Sequence, residues 1–323
     1  MKAIFGTTGS AGGTDRPWDD VERAALVALL RTRPERMTWQ EIAAEVSAEG
    51  RATAVWEKLV PSSLFGAEES PREQAMSDIE SWRVQGIGFL TFLDPDYPTG
   101  LREIHEMPPV LFYRGSLRRG ERAVSVVGSR AASDKGLKIA ATVSRNLVQR
   151  DITVLSGLAK GIDTAAHTAA LEAGGRTVAC IGTGISRCYP AANSALQEQI
   201  AQDGLVLSQF WPDAPPRQQN FPMRNAVMSG YGHVTIIVEA GEKSGARIQA
   251  RQAVAHGRQV VLTDFVVDGN EWARKLVGRP GVHVAESTKK IMEVVEHVVF
   301  SERSTGDLLD QLISLRGGLG HRQ

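Results

Sequence analysis

From residue 123 onward the chain alternates between two kinds of segment, and this alternation constrains its fold more than any other feature. Short runs rich in Val, Ile and Leu occur at AVSVVG (123–128), ITVLSG (152–157), TVACIG (177–182), LVLSQF (205–210), VTIIVEA (234–240), QVVLTDF (259–265) and VHVAE (282–286). Segments of helical character such as KGLKIAATVSRNLVQR, DTAAHTAALEAG and GARIQARQAVAHG lie between them. A strand that is apolar on nearly every residue is buried on both faces, and strands that alternate with helices pair in parallel. The expected fold is therefore α/β: an extended Rossmann-like, doubly wound, mostly parallel sheet.

The first part of the chain reads differently. In WDDVERAALVALLRTR the residues Val21, Ala24, Leu26, Leu29 and Leu30 fall largely on one helical face. MTWQEIAAEV follows, with Thr38 as N-cap and Glu41 three residues on, the spacing of a capping box. A loop, VPSSLFGAEESPREQAM, precedes a further helix around 71–85 that stops at Gly86. These signals divide the chain into a flexible arm (1–17), a small N-terminal helical domain (18–85), the Rossmann-like domain (86–299) and a tail (300–323). The tail holds one more candidate helix, GDLLDQLISL, and leaves little chain for another folded domain.

Composition narrows the function classes. No run approaches the 18 apolar residues of a membrane span, and the first 20 residues lack an apolar leader core. With only Cys180 and Cys188 there is no disulfide framework, and neither cysteine nor the seven scattered histidines form a metal-ligand pattern, so a cytoplasmic protein without metal or cofactor is expected. The overall charge of zero conceals an asymmetry. Residues 1–110 carry 11 Lys+Arg against 18 Asp+Glu, and the remaining 213 carry 26 against 19, so the α/β part has a net of +7 and can hold a positive groove.

In doubly wound sheets, ligands bind beyond the C-terminal strand ends. The first strand ends in Gly128-Ser129-Arg130, and the next helix starts near Ser133, so its free N–H groups are candidates to face a phosphate. The loop is not GxGxxG and no acid closes the second strand, which argues against NAD. The second strand ends in Ser156-Gly157-Leu158-Ala159-Lys160-Gly161-Ile162-Asp163, a second phosphate-friendly loop. Asp163 is expected to cap the following helix and His167 to brace the loop, both structurally. Gly182 and Gly184 keep the third loop open, with Tyr189 and Asn193 as its support. Beyond the fourth strand, Phe221 with Arg224 and Asn225 suits a nucleotide, the ring stacking on a base and the arginine meeting a phosphate; Phe221 packing under a helix is the competing reading. Glu239, at the fifth strand end, organises its loop or contacts a sugar. Ser244 and Gly245 follow, and Lys243 is solvated. Together, Arg130, Lys160 and Arg224 along one rim of Gly- and Ser-rich loops favour a polyanion, with no catalytic constellation in view.

The combination VVGSRAAS (126–133), LSGLAKGIDTAAH (155–167), CYPAAN (188–193), FPMRN (221–225) and VEAGEKSG (238–245), preceded by GIGFLTFLDPDYPTG (86–100), resembles the DprA/Smf family of DNA-processing proteins across about residues 80–280. The resemblance implies a Rossmann-like fold of the SLOG superfamily, single-stranded DNA binding, and loading of a RecA-type recombinase with relief from single-strand-binding protein, by a homodimer. It implies that Arg130, Lys160, Phe221 and Arg224 line the DNA groove. The chain departs from the family pattern at Lys160 (often Arg), Gln209 (usually Glu), Ala226 (usually Arg) and TDFVVDGNEW (usually a Pro-Gly turn), and the winged helix of many members is expected to be absent. Two other readings stand beside this one. A SLOG-type nucleotide sensor or nucleotide-processing protein would use Glu239 and the Ser244-Gly245 loop on a ribose, although the PGGxGTxxE motif is missing. A protein-interaction scaffold would use the acidic N-terminal module.

Overall fold

The computed structural model describes residues 18–60 and 70–301. The arm expected at 1–17, most of the 60–70 loop and GDLLDQLISL lie outside the described residues. The chain divides into two compact units, Met1–Glu80 and Ser81–Gln323. The division falls a few residues before the expected boundary.

In the first unit, α1 (Asp20–Thr32), α2 (Trp39–Glu49) and α3 (Ala52–Leu59) bury Ala25, Leu26, Leu29, Ile42, Val46 and Val55 completely. Val21, expected on the inner face of α1, is instead 48% exposed: it lies in the first turn, before the buried stripe begins at Ala24. Thr38 and Glu41 form the capping box that their spacing predicts. The Glu22 carboxylate accepts from the Thr53 amide (3.0 Å) and hydroxyl (2.6 Å), tying α1 to the start of α3. Helix α4 (Pro71–Val84) runs across the division, and the chain turns after it at Gly86, φ +69°.

Among the described residues of the second unit, nine strands join one sheet. In chain order they are β1 (Gly88–Thr91), β2 (Val110–Gly115), β3 (Ala123–Gly128), β4 (Thr153–Ser156), β5 (Thr177–Cys180), β6 (Leu205–Ser208), β7 (Val234–Glu239), β8 (Gln259–Thr263) and β9 (Val282–Ala285). Their spatial order is β1-β2-β6-β5-β4-β3-β7-β8-β9. All neighbours from β6 to β9 are parallel, whereas β1–β2 and β2–β6 are antiparallel. The seven apolar runs thus supply the seven parallel strands. The antiparallel pair at one edge has no counterpart among those runs.

The helices are α5 (Thr99–Arg102), α6 (Asp134–Val148), α7 (Ile162–Glu172), α8 (Ser194–Asp203), α9 (Asn220–Tyr231), α10 (Gly245–Ala255), α11 (Asp264–Gly269), α12 (Glu271–Arg274) and α13 (288–301). Helices α6, α7 and α13 cover one face, where Val124, Val126, Val143, Leu147, Ala166, Ile291 and Val295 form a continuous core. The alternate strand positions Ser125 and Leu155 point the other way, toward the chain leaving α9 at Gly232. Burying both faces is what the unbroken apolar runs required.

The parallel order reverses at β3. From there the chain goes to β4 on one side, and it returns through β7 on the other. The C-terminal ends of β3 and β7 therefore flank the topological switch point, where open α/β sheets take their ligands.

Candidate nucleic-acid interface

An open trough of about 920 Å³ lies at that switch point. Gly128, Ser129 and Arg130 from the β3 end, Ala159 and Asp163 from the β4–α7 segment, and Ser244 and Gly245 from the β7–α10 turn line it. Tyr189 and the face of α9 carrying Phe221, Arg224 and Asn225 complete the wall. Arg217 and Lys243, both exposed, add two cations to those at Arg130 and Arg224.

The most nucleotide-like element is a ladder of flat groups. The exposed Arg130 guanidinium sits 5.2 Å from the Phe221 ring centroid, and the Phe221 and Tyr189 rings lie 5.7 Å apart, tilted by 49°. Tyr189 is 45% exposed. Phe221 rests on Gly182, where a Cβ would stand 3.0 Å from the ring, so Gly182 is what lets the ring lie flat on the β5 end. Phe221 is half-buried, its ring packed on Gly182 and flanked by the Arg130 guanidinium and the Tyr189 ring. The sequence marks Tyr189 only as loop support. Nothing in it joins Tyr189 to Phe221, 32 residues away, before the sheet brings β5 beside the start of α9.

The helix N-terminus expected to face a phosphate is already occupied by the protein itself. Ser133 is the N-cap of α6 and accepts from the Gly136 amide (3.1 Å). The Glu239 carboxylate then takes the Ser133 amide (3.1 Å to each oxygen) and the Ser133 hydroxyl (2.8 Å). It lies so close over Gly136 that a Cβ there would stand 2.0 Å from Oε2. An internal carboxylate thus supplies the negative charge that the helix end attracts. Glu239 organises its loop, and its oxygens are engaged rather than free for a sugar. Glu239→Gln is expected to keep the shape but lower stability by about 1 kcal/mol, the usual scale for such a charge at a helix end, as a chemical-denaturation curve will show.

Beneath the trough floor lies a buried polar group of residues. Arg224 is only 6% exposed and donates through Nη1 to the Cys180 carbonyl (2.9 Å). Its guanidinium lies across Gly157, where a Cβ would fall 1.5 Å from Nη1. Asp163, 5% exposed, accepts from the amides of Gly157 (3.2 Å) and Ala159 (3.3 Å). It therefore pins the turn before α7 and does not cap that helix, whose N-cap is Gly161. Burial pushes the Asp163 carboxyl up and the Arg224 guanidinium down, and each charge partly offsets the other's shift. Burial likewise pushes the Cys180 thiol up to about 12.

His167 does not brace the β4–α7 loop as expected. It is fully buried and its Nδ1 meets the Thr177 hydroxyl on β5 at 2.6 Å. That hydroxyl donates its one proton to the Val154 carbonyl (2.7 Å), so Nδ1 carries the imidazole proton. Burial first, and the Arg224 charge second, hold the His167 pKa down to about 3.

Other expected contacts are structural. Ser156 is fully buried and donates to the Val126 carbonyl (2.7 Å), across to the neighbouring strand. Gly161 has φ +76°, and a Cβ there would meet the Ser129 carbonyl at 2.3 Å, so it locks the turn against the β3 end. Gly184 is packed on the Trp211 and Pro212 carbonyls. Asn193 donates to the Leu158 carbonyl (2.9 Å) and the Thr164 hydroxyl (3.0 Å). Ala226 is 1% exposed and is not among the trough-lining residues, so a longer side chain there would not simply add a cation to this surface. Lys160 does not share the trough: it is exposed on an adjoining groove between α6 and α7. Arg130 and Arg224 thus share one site while Lys160 borders the next. Among the described residues no cluster of three His, Cys, Asp or Glu side chains is placed to hold a metal, and no helix is long and apolar enough to cross a membrane.

Residues 88–296 match the family model for DNA recombination-mediator protein A. The chain belongs to this family. It is 44% identical over 181 residues to DNA processing protein DprA of Streptococcus pneumoniae, covering 55% of this chain and 64% of that one, so it spans less than two thirds of that relative's length. The X-ray structure of the Streptococcus pneumoniae protein superposes with a TM-score of 0.65 at 29% identity, over 85% of this chain and 97% of that one. DNA processing protein A from Helicobacter pylori, whose structure describes a single-stranded DNA binding mode, shares the fold with a TM-score of 0.57 at 21% identity, over 65% of this chain and 95% of that one. As in those DprA structures, the sheet is mostly parallel and Rossmann-like.

Proposed function

We propose that this chain binds single-stranded DNA in the switch-point trough and acts, as a homodimer and without catalysing a reaction, as a mediator that hands the strand to a RecA-type recombinase in exchange for single-strand-binding protein. The observation that carries the reading is the ladder of Arg130, Phe221 and Tyr189 on an open wall bordered by Arg217 and Lys243. Every base has a π-face, so stacking on such rings is indifferent to sequence, while nearby cations attract the backbone. Membership of the recombination-mediator family supports the hand-over step, and the single-stranded DNA binding mode described for the Helicobacter pylori protein accords with binding of the strand. The polar machinery under the floor has a positioning role. Arg224 and Asp163 fix the turn that carries Lys160 and the helix that carries Phe221.

The test is equilibrium binding of oligo-dT followed by fluorescence anisotropy. Loss of one stacked base is worth about 1–3 kcal/mol, so Phe221→Ala is expected to weaken binding roughly 5- to 150-fold. Arg130→Ala is expected to weaken it and also to flatten the salt dependence, by about 0.7 in the log–log slope for each phosphate that the variant no longer neutralises. Equal binding by wild type and both variants sinks the proposal. The hand-over step is read separately, as recombinase filament formation on strand precoated with single-strand-binding protein.

A further inference from the structure

The groove beside the trough, which holds Lys160, is not explained by stacking at Phe221. It has a volume of about 840 Å³ and runs between α6 and α7. Its floor is made of short side chains, Ala141, Ala165 and Ala169 with Thr142 and Thr168, and its rim carries Lys138, Arg145 and Lys160. All three cations are exposed, and none is in an ion pair among the described residues, although the neighbouring Arg150 is paired with Glu296 and Lys290 with Glu293. The acid on the rim is Glu172, at the last turn of α7. Lys138 and Arg145 are seven residues apart on α6, so they lie two turns apart on one face, about 10 Å along the axis.

The two grooves abut. Ala159 and Asp163 line the trough while Lys160, Gly161 and Thr164 line the groove, and Tyr189 lines the first while Ala192 and Asn193 line the second. The ridge between them is the pinned β4–α7 turn. There Gly161 lies directly against the backbone of Ser129 and Arg130.

We propose that this groove is the exit track for the backbone of a single strand leaving the trough, gripped through its phosphates by Lys160, Lys138 and Arg145. The proposal rests on single-stranded DNA binding in the trough. A shallow floor of Ala and Thr has no aromatic face for bases, whereas a rim of unpaired cations complements a phosphate chain. The trough would thus hold bases and the track would hold backbone, so affinity would grow with strand length beyond what the trough accommodates.

The experiment compares the full chain with the double variant Lys138→Gln/Arg145→Gln. Both positions are exposed and outside the trough lining. Two oligo-dT probes are used, one of about 5 nucleotides and one of about 30, which bracket common single-strand site sizes. Expected is unchanged binding of the short probe and weaker binding of the long one. The slope of log K against log salt for the long probe should be shallower by about 1.4, from two phosphates at about 0.7 each. Wild type should then lose about 7-fold more affinity than the variant when salt is raised fourfold, following the same slope difference. If the variant matches wild type on the long probe, slope included, the track is overturned while trough binding stands. If wild type binds neither probe, the underlying reading fails as well.

Discussion

Replacing Arg224 by Met is expected to destabilise the α/β unit by about 3 kcal/mol, lowering the melting temperature by roughly 6–12 °C for a domain of this size. The side chain is nearly all buried, so the loss does not come from surface charge. The variant gives up a charged hydrogen bond to the Cys180 carbonyl, of a kind worth about 1.5–3 kcal/mol. It also leaves Asp163 buried without the cation that offsets its desolvation. Methionine refills most of the volume over Gly157, which keeps the cavity contribution small. The cause can be separated from simple misfit with Arg224→Met/Asp163→Asn. Once the isolated charge is gone, the part of the loss owed to Asp163 should return, while the part owed to the hydrogen bond on the Cys180 carbonyl stays lost. A thermal melt of the single variant within about 1 kcal/mol of wild type would show that Asp163 does not depend on this arginine.

The second large effect is on acid stability. His167 has its ordinary pKa of 6.5 in the unfolded chain and is held down to about 3 in the fold. Between those values the unfolded state binds one more proton than the folded state, so stability rises with pH through this window. The contribution is fully present above about pH 6.5 and is lost as pH falls. By about pH 5 the loss is about 2 kcal/mol, at 1.36 kcal/mol per unit. Asp163 acts in the opposite sense: its carboxyl is raised, so its charged form is disfavoured by folding and that cost is relieved as pH falls. His167→Asn isolates the imidazole, because the amide of asparagine can still donate to Thr177 while Asp163 stays in place. Urea denaturation at about pH 7.5 and about pH 5 should show the drop in wild type and lack about 2 kcal/mol of it in the variant. An identical drop in both would remove His167 as its source.

Much of the scaffold is legible from hydrophobic pattern alone, because burial on both faces leaves a strand few polar positions. AVSVVG becomes β3 residue for residue, and QVVLTDF becomes β8 until Thr263 caps α11. The antiparallel strands β1 and β2 escape that pattern because GFLT and VLFYRG sit among Pro, Gly and Asp turns and belong to no strand–helix alternation. The segment NFPMRNAVMSGY is helical despite its proline. Pro222 falls in the first turn of α9, where a missing N–H breaks no intrahelical bond.

Within the site, residue types are more legible than their orientations. Phe221 and Arg224 share a helix face, yet one ring reaches the open wall and one guanidinium turns beneath the floor. Lys160 and Arg130 come from touching turns and point into different grooves. The partnership of Glu239 with Ser133 depends on β7 lying next to β3, a fact of strand order that no local spacing contains.

That internal carboxylate has a mechanical consequence. Folds that clasp a pyrophosphate on a helix end hold it in one fixed seat, since backbone amides converge on a single point. Here Glu239 has taken that seat. A strand bound there as proposed would meet the exposed cations Arg130, Arg217 and Lys243 and rings that accept any base. Such a hold sets no register, so a strand bound as proposed would be free to shift by one unit at a time while remaining attached.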